Sequence, residues 1–163
     1  MLVRILVALA VAAFLTQPRD ADTASALVTV SSGPHAGSYT LRNTDVPCEI
    51  TAEKPPHPKH QFSATLGGFT PSKDPAKLTM LMVIIPDADV HGANRSFFTS
   101  INFGDISRGT QYNAETRPGE KLGGSGTATV ATHGQDATVT FDVKSAEGVT
   151  YKGTILCTGV NRY

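Results

Sequence analysis

Residues 124–157 read GSGTATVATHGQDATVTFDVKSAEGVTYKGTILC, and this stretch decides the fold class. Ala137, Val139, Phe141 and Val143 alternate with Thr138, Thr140, Asp142 and Lys144. Further on, Val149, Tyr151, Ile155 and Cys157 fall on one face, with Thr150, Lys152 and Thr154 on the other. Successive side chains of a strand point to opposite sides, so this alternation predicts strands with one buried and one wet face. Two tight turns join the runs, the second at Glu147-Gly148. Three strands and two tight turns predict an antiparallel meander packed over a core.

Upstream, the same pattern recurs in short runs. Residues 27–31, 38–42 and 46–51 read as strands, the last interrupted near its start by Pro47, which predicts an edge strand or a strand beginning there. Phe62, Ala64 and Leu66 alternate with Gln61, Ser63 and Thr65. Residues 78–85 differ, because Leu81 to Ile85 are continuously apolar and Pro86 closes the run; this predicts a central strand covered on both faces. Phe97, Thr99, Ile101 and Phe103 line one face of the next strand. Residues 105–123 form the longest irregular stretch, with a short strand expected around Tyr112. The mature chain offers no amphipathic helix, and eight or nine short strands predict an all-β antiparallel β-sandwich, favoured over a closed barrel.

The first 26 residues read as a signal peptide. Arg4 provides the positive charge, residues 5–15 the apolar run, and Ala24-Ser25-Ala26 a small-x-small cleavage site. Eleven residues of helix at ~1.5 Å each span about half of a bilayer core, so no stable membrane anchor is expected. The expected organisation is a leader over residues 1–26 and a single β-sandwich over 27–163, secreted or periplasmic.

Basic and acidic residues balance at 14 each. Loss of Arg4, Arg19, Asp20 and Asp22 with the leader removes two charges of each sign and keeps the balance. A neutral chain with scattered basic residues has no electrostatic ground for binding nucleic acid. The two cysteines, Cys48 and Cys157, lie on apolar strand faces of an exported chain, which predicts one disulfide through the core. A reactive thiol or a metal pair would want an electropositive site or histidines close by, and neither cysteine has one within a few residues.

The closing pattern of Gly-Ser-Gly-Thr-Ala-Thr-Val, Ala-Thr-Val-Thr-Phe, Glu147-Gly148 and Gly153-Thr-Ile-Leu-Cys157 resembles the end of small exported bacterial β-rich proteins such as the mycobacterial lipoprotein antigen family. The resemblance covers about the C-terminal third. It implies surface or periplasmic exposure and an interaction role, and it carries over no catalytic residue. This sequence departs from the lipoprotein pattern in having no lipid-acceptor cysteine after the apolar run.

Chemistry is sparse. Asp87, Asp89 and His91 alternate in the loop after the apolar strand, and two carboxylates with an imidazole could hold a divalent cation, zinc or manganese before calcium. The plainer reading makes both aspartates turn residues that bond their own backbone. His57 and His60 flank Pro58 in a proline-rich loop. Ser125 sits among glycines but leads into a strand, where a nucleophile elbow needs a helix. These features predict a non-enzymatic binding or envelope-interaction module, without a cofactor unless a divalent metal binds. It would act on a protein or envelope partner through loops 87–95 and 105–123, with Arg95, Arg108 and Tyr112 as contact side chains. The alternative is a small metal-dependent enzyme built on Asp87, Asp89 and His91.

Overall fold

The computed structural model describes residues 24–43, 47–51, 60–68, 72–86, 88 and 96–163. Eleven strands follow in order: β1 (Ala24–Val30), β2 (Gly37–Asn43), β3 (Cys48–Thr51), β4 (Gln61–Gly67), β5 (Leu78–Ile85), β6 (Phe98–Phe103), β7 (Thr110–Glu115), β8 (Ser125–His133), β9 (Asp136–Lys144), β10 (Thr150–Cys157) and β11 (Asn161–Arg162). They form two sheets that do not close into a barrel. One has five strands in the order β2-β1-β10-β9-β8, and the other six in the order β11-β3-β4-β5-β6-β7. The fold is the all-β sandwich expected from the alternation, with β8, β9 and β10 as the antiparallel meander. The two-residue β11, parallel to β3, carries too short a pattern to be read from sequence.

The inward face of the meander is the predicted one. Ala137, Val139, Phe141 and Val143 are buried, as are Tyr151, Ile155 and Cys157. From the opposite sheet come Phe62, Ala64 and Leu66 on β4, Leu81, Val83 and Ile85 on β5, and Phe97, Ile101 and Phe103 on and beside β6, all fully buried. Each large apolar side chain removed from water contributes about 1.5–3 kcal/mol, so this interleaved core is what holds the sheets face to face. Gly153 sits in the inward row opposite Phe141. A Cβ there would lie 2.5 Å from the Phe141 ring, so the glycine makes the space that the ring fills.

Strand β5 lies inside its sheet, between β4 and β6, as its apolar run predicts. On its outward face the cover is complete at Met80 and partial at Met82 and Ile84. Strand β3 starts directly after Pro47, whose carbonyl accepts from the Thr65 amide at 3.0 Å. Strand β1 starts at Ala24, so the expected leader boundary at Ala26 falls within a strand whose Ala24 and Ala26 are both buried.

Two ties cross the core between the sheets. Cys48 of β3 and Cys157 of β10 form the disulfide, with Cα atoms 6.1 Å apart and a sequence separation of 109. Such a bond points to an oxidising, extracytoplasmic setting. Tyr151 of β10 sends its hydroxyl across to β6 and β7, within 2.7 Å of the Thr99 hydroxyl and donating to the Thr99 carbonyl at 3.3 Å and the Tyr112 carbonyl at 3.4 Å. Burial pushes the Tyr151 phenol well above the usual tyrosine range. Among the described residues, no helix is long and apolar enough to cross a membrane.

Candidate functional site

One end of the sandwich gathers the β1–β2 turn (residues 31–36), the loop before β5 (72–77), the β6–β7 turn (104–109) and the β9–β10 turn (145–149). Its centre is His35. The His35 ring stacks on Phe103 with centroids 4.2 Å apart and meets the edge of Tyr112 at 5.8 Å. Its Nε2 lies 3.1 Å from the Pro75 carbonyl, which can only accept, so Nε2 carries the proton. In the neutral ring, Nδ1 then accepts from the Tyr112 hydroxyl at 2.9 Å. Tyr39 packs edge-on against Phe103 and donates its hydroxyl to the His35 carbonyl. Both histidine nitrogens are committed, and four segments distant in sequence are locked together.

Beside this cluster opens a cleft of about 370 Å³ lined by Ser72, Lys73, Pro75, Phe103, Asp105 and Arg108 with the intervening turn backbone. The turn that frames it is rigid for local reasons. The Asp105 carboxylate accepts from the Ser107 amide at 2.8 Å and the Ser107 hydroxyl at 2.6 Å. Those bonds hold the Asp105 carboxyl below the usual carboxylate range. The Gly109 amide returns to the Asp105 carbonyl, and a Cβ on Gly109 would sit 2.0 Å from the Phe103 carbonyl oxygen, so only glycine closes the turn. Across the cleft, Asp74 accepts from the Ala76 amide, and the Gly104 amide bonds the Lys77 carbonyl, joining the two rims. Lys73 and Arg108 are exposed on those rims. The result is a polar cup with two exposed cationic side chains on its rim.

The expected site residues fall in different places. Arg108 lines this cleft. Tyr112 is not an exposed aromatic: it sits in β7, 5 % exposed, with its hydroxyl on His35, and burial pushes its phenol upward. Residues 105–123 are not one loop, because β7 divides them into a turn at one end of the sheet and a crossover, 116–124, at the other. Asp87, Asp89, His91 and Arg95 lie outside the described residues, as does His57. Among the described residues, no three His, Cys, Asp or Glu side chains gather as a metal would require. Ser125 opens β8 on the sheet edge, opposite Lys144. Phe98 faces away from the core under the Arg117 guanidinium, 5.6 Å from its ring centroid. That guanidinium forks onto the buried Glu115 carboxylate, and the bond raises the arginine further above its ordinary range. Lys73 and His35 carry no sequence signal and Phe103 carries only its strand face, since each reaches the site through a different segment.

No family model, no curated protein and no solved structure matches this chain.

Proposed function

We propose that this chain is an exported, non-enzymatic β-sandwich that binds a protein or envelope partner through its end loops, with Arg108 and Lys73 receiving an anionic group of that partner. The cleft carries the reading. It is open and rigidly framed, and it offers two cationic side chains at its rim. The groups beside it that could move protons are spent on structure: Asp105 on Ser107, His35 on Tyr112 and Pro75. A framed cup with its acid–base groups tied suits recognition better than proton transfer. The leader-like N-terminus, the disulfide and the resemblance to exported β-rich proteins favour the extracytoplasmic assignment.

The test is a chemical-shift titration of the oxidised protein with inorganic phosphate and, separately, with an acidic peptide. Shifts centred on residues 72–75 and 104–110, lost in the Lys73→Ala/Arg108→Ala double variant, are expected. Shifts confined to 116–123, or unchanged in that variant, would place the contact elsewhere.

A further inference from the structure

The four sheet edges are finished in different ways. Strand β7 is capped: its Asn113 carbonyl accepts from the Ala146 amide at 2.8 Å, its Asn113 amide bonds the Glu147 carboxylate, and its Glu115 amide bonds the Gly123 carbonyl. Strand β2 packs against β4 and β5 of the other sheet, and its Asn43 side chain accepts from the Gly67 amide. Strand β11 is two residues long. Strand β8 is nine residues long and pairs on one side only, with β9. Among the described residues, nothing bonds the backbone of its other side. An edge of this kind is normally blunted by lysine, proline or an inward charge. The β8 sequence Ser-Gly-Thr-Ala-Thr-Val-Ala-Thr-His has none of these.

We propose that β8 is an association edge and that its partner is the β8 strand of a second copy, antiparallel about a two-fold axis through Thr129. The register follows from the sequence. Centred on Thr129, all nine residues pair, Ser125 with His133 of the second copy and Thr127 with Ala131. The core-side positions Ala128 and Val130 meet each other across the axis, apolar on apolar, and no like charges face each other. Pairing residues of equal parity keeps each side chain on its own face, so the core face stays inside in both copies. The solvent face is continuous as well. Thr40, Leu27, Thr154, Thr140 and Thr129 already form one row across the five strands, with the Thr129 and Thr140 hydroxyls 2.6 Å apart. The second copy extends that row through a ten-stranded sheet. A self-complementary patch of this kind closes at two subunits and does not propagate. The β8 edge is separate from the Arg108 cleft, and the inference does not rest on it.

The experiment compares Thr129→Cys with Thr127→Cys in the oxidised protein, each brought to mild oxidation after folding. Directly opposed positions lie about 5 Å apart between Cβ atoms. Two Thr127 residues in this register are four positions apart, about 14 Å at ~3.4 Å per residue. Covalent dimer from Thr129→Cys with little from Thr127→Cys is expected, alongside a concentration-dependent dimer of the unmodified chain in sedimentation. Thr129→Lys, on the solvent face, sets two ammonium groups against each other and is expected to return the monomer, with a melt that no longer rises with protein concentration. Equal cross-linking at both positions overturns the register. A monomer at every concentration overturns the proposal and leaves the edge to an extended segment of another protein.

Discussion

The sandwich is tied across its core twice, and the two ties are of opposite kinds. Cys48–Cys157 is covalent and acts mainly on the unfolded chain, by forbidding the open conformations of a segment with 109 residues of separation. Tyr151 with Thr99 and the Tyr112 carbonyl is a hydrogen-bonded tie that acts only in the folded state, where burial has already removed water as a competitor. The first can stabilise without shaping the core. The second fixes which strand of one sheet lies over which strand of the other, because a displaced Tyr151 would leave a buried hydroxyl unpaired. Stability and alignment thus rest on different chemistry in the same core.

Breaking the covalent tie should cost most. Cys48→Ala/Cys157→Ala is expected to lose about 4–5 kcal/mol on the chain-entropy model, which is read as a fall in the thermal midpoint on the order of 10 °C or more. A fall of only a degree or two would mean that the unfolded chain is already compact. Next comes the charged pair on the outer face. Arg117→Ala strands the Glu115 carboxylate, whose side chain is 1 % exposed, whereas the arginine itself is 29 % exposed. Breaking a fully buried pair costs about 3–5 kcal/mol, and the exposed arginine discounts this to roughly 2 kcal/mol in denaturant titration. Smaller still, Tyr151→Phe removes the hydrogen-bonded tie through the core at about 1–2 kcal/mol. Cys157 and Tyr151 share no partner and lie six residues apart on one strand, so the disulfide and tyrosine variants should add. Strong non-additivity would show that the two ties are one unit.

Of these features the disulfide was readable and the tyrosine tie was not, for a physical reason. Two cysteines allow one pairing, and the face each occupies follows from strand alternation alone. Tyr151 was placed on the inward face by the same alternation, but its partner depends on how one sheet is laid over the other. That alignment is set by the packed volumes of Phe62, Phe97, Phe103 and Phe141 together, and no local pattern encodes it. The candidate site fails to announce itself for the same reason. Arg108 was legible as a loop cation, yet His35, Pro75, Phe103 and Tyr112 converge from segments up to 77 residues apart. The short strand at Tyr112 is legible in the sequence, but a period of two does not encode that its tyrosine points at a histidine from the opposite sheet. Strand existence lives in the local period, and the site lives in the packing.

The tyrosine tie has a pH signature that the disulfide lacks. Burial raises the Tyr151 phenol above its unfolded value near 10, so the native state holds a proton that the unfolded chain releases. The sign follows: the stabilisation is fully present below about pH 10 and is lost as pH rises through the folded value, at about 1.4 kcal/mol per pH unit for one such group. Melts taken upward from pH 9 should therefore decline, and the decline should be shallower in Tyr151→Phe although that variant starts lower. An unchanged alkaline slope would assign the loss to Tyr112, whose phenol is also raised.

The smallest expected effect concerns residues 87–91, where a metal reading competes with a turn reading. A cation held at 100 times its dissociation constant would add about 2.7 kcal/mol, or several degrees in the midpoint at this chain size. The oxidised protein melted with chelator, then with zinc, manganese and calcium separately, is expected to show no shift, because a binding module of the kind proposed needs no cation. A rise with one cation that disappears in Asp89→Ala would move the function to Asp87, Asp89 and His91. The Tyr151→Phe background repeats the test independently, since a bound ion adds the same free energy whatever the starting midpoint. A cation that restored the midpoint there, but not in Tyr151→Phe/Asp89→Ala, would make residues 87–91 the functional end of the sandwich and reduce the Arg108 cleft to a structural turn.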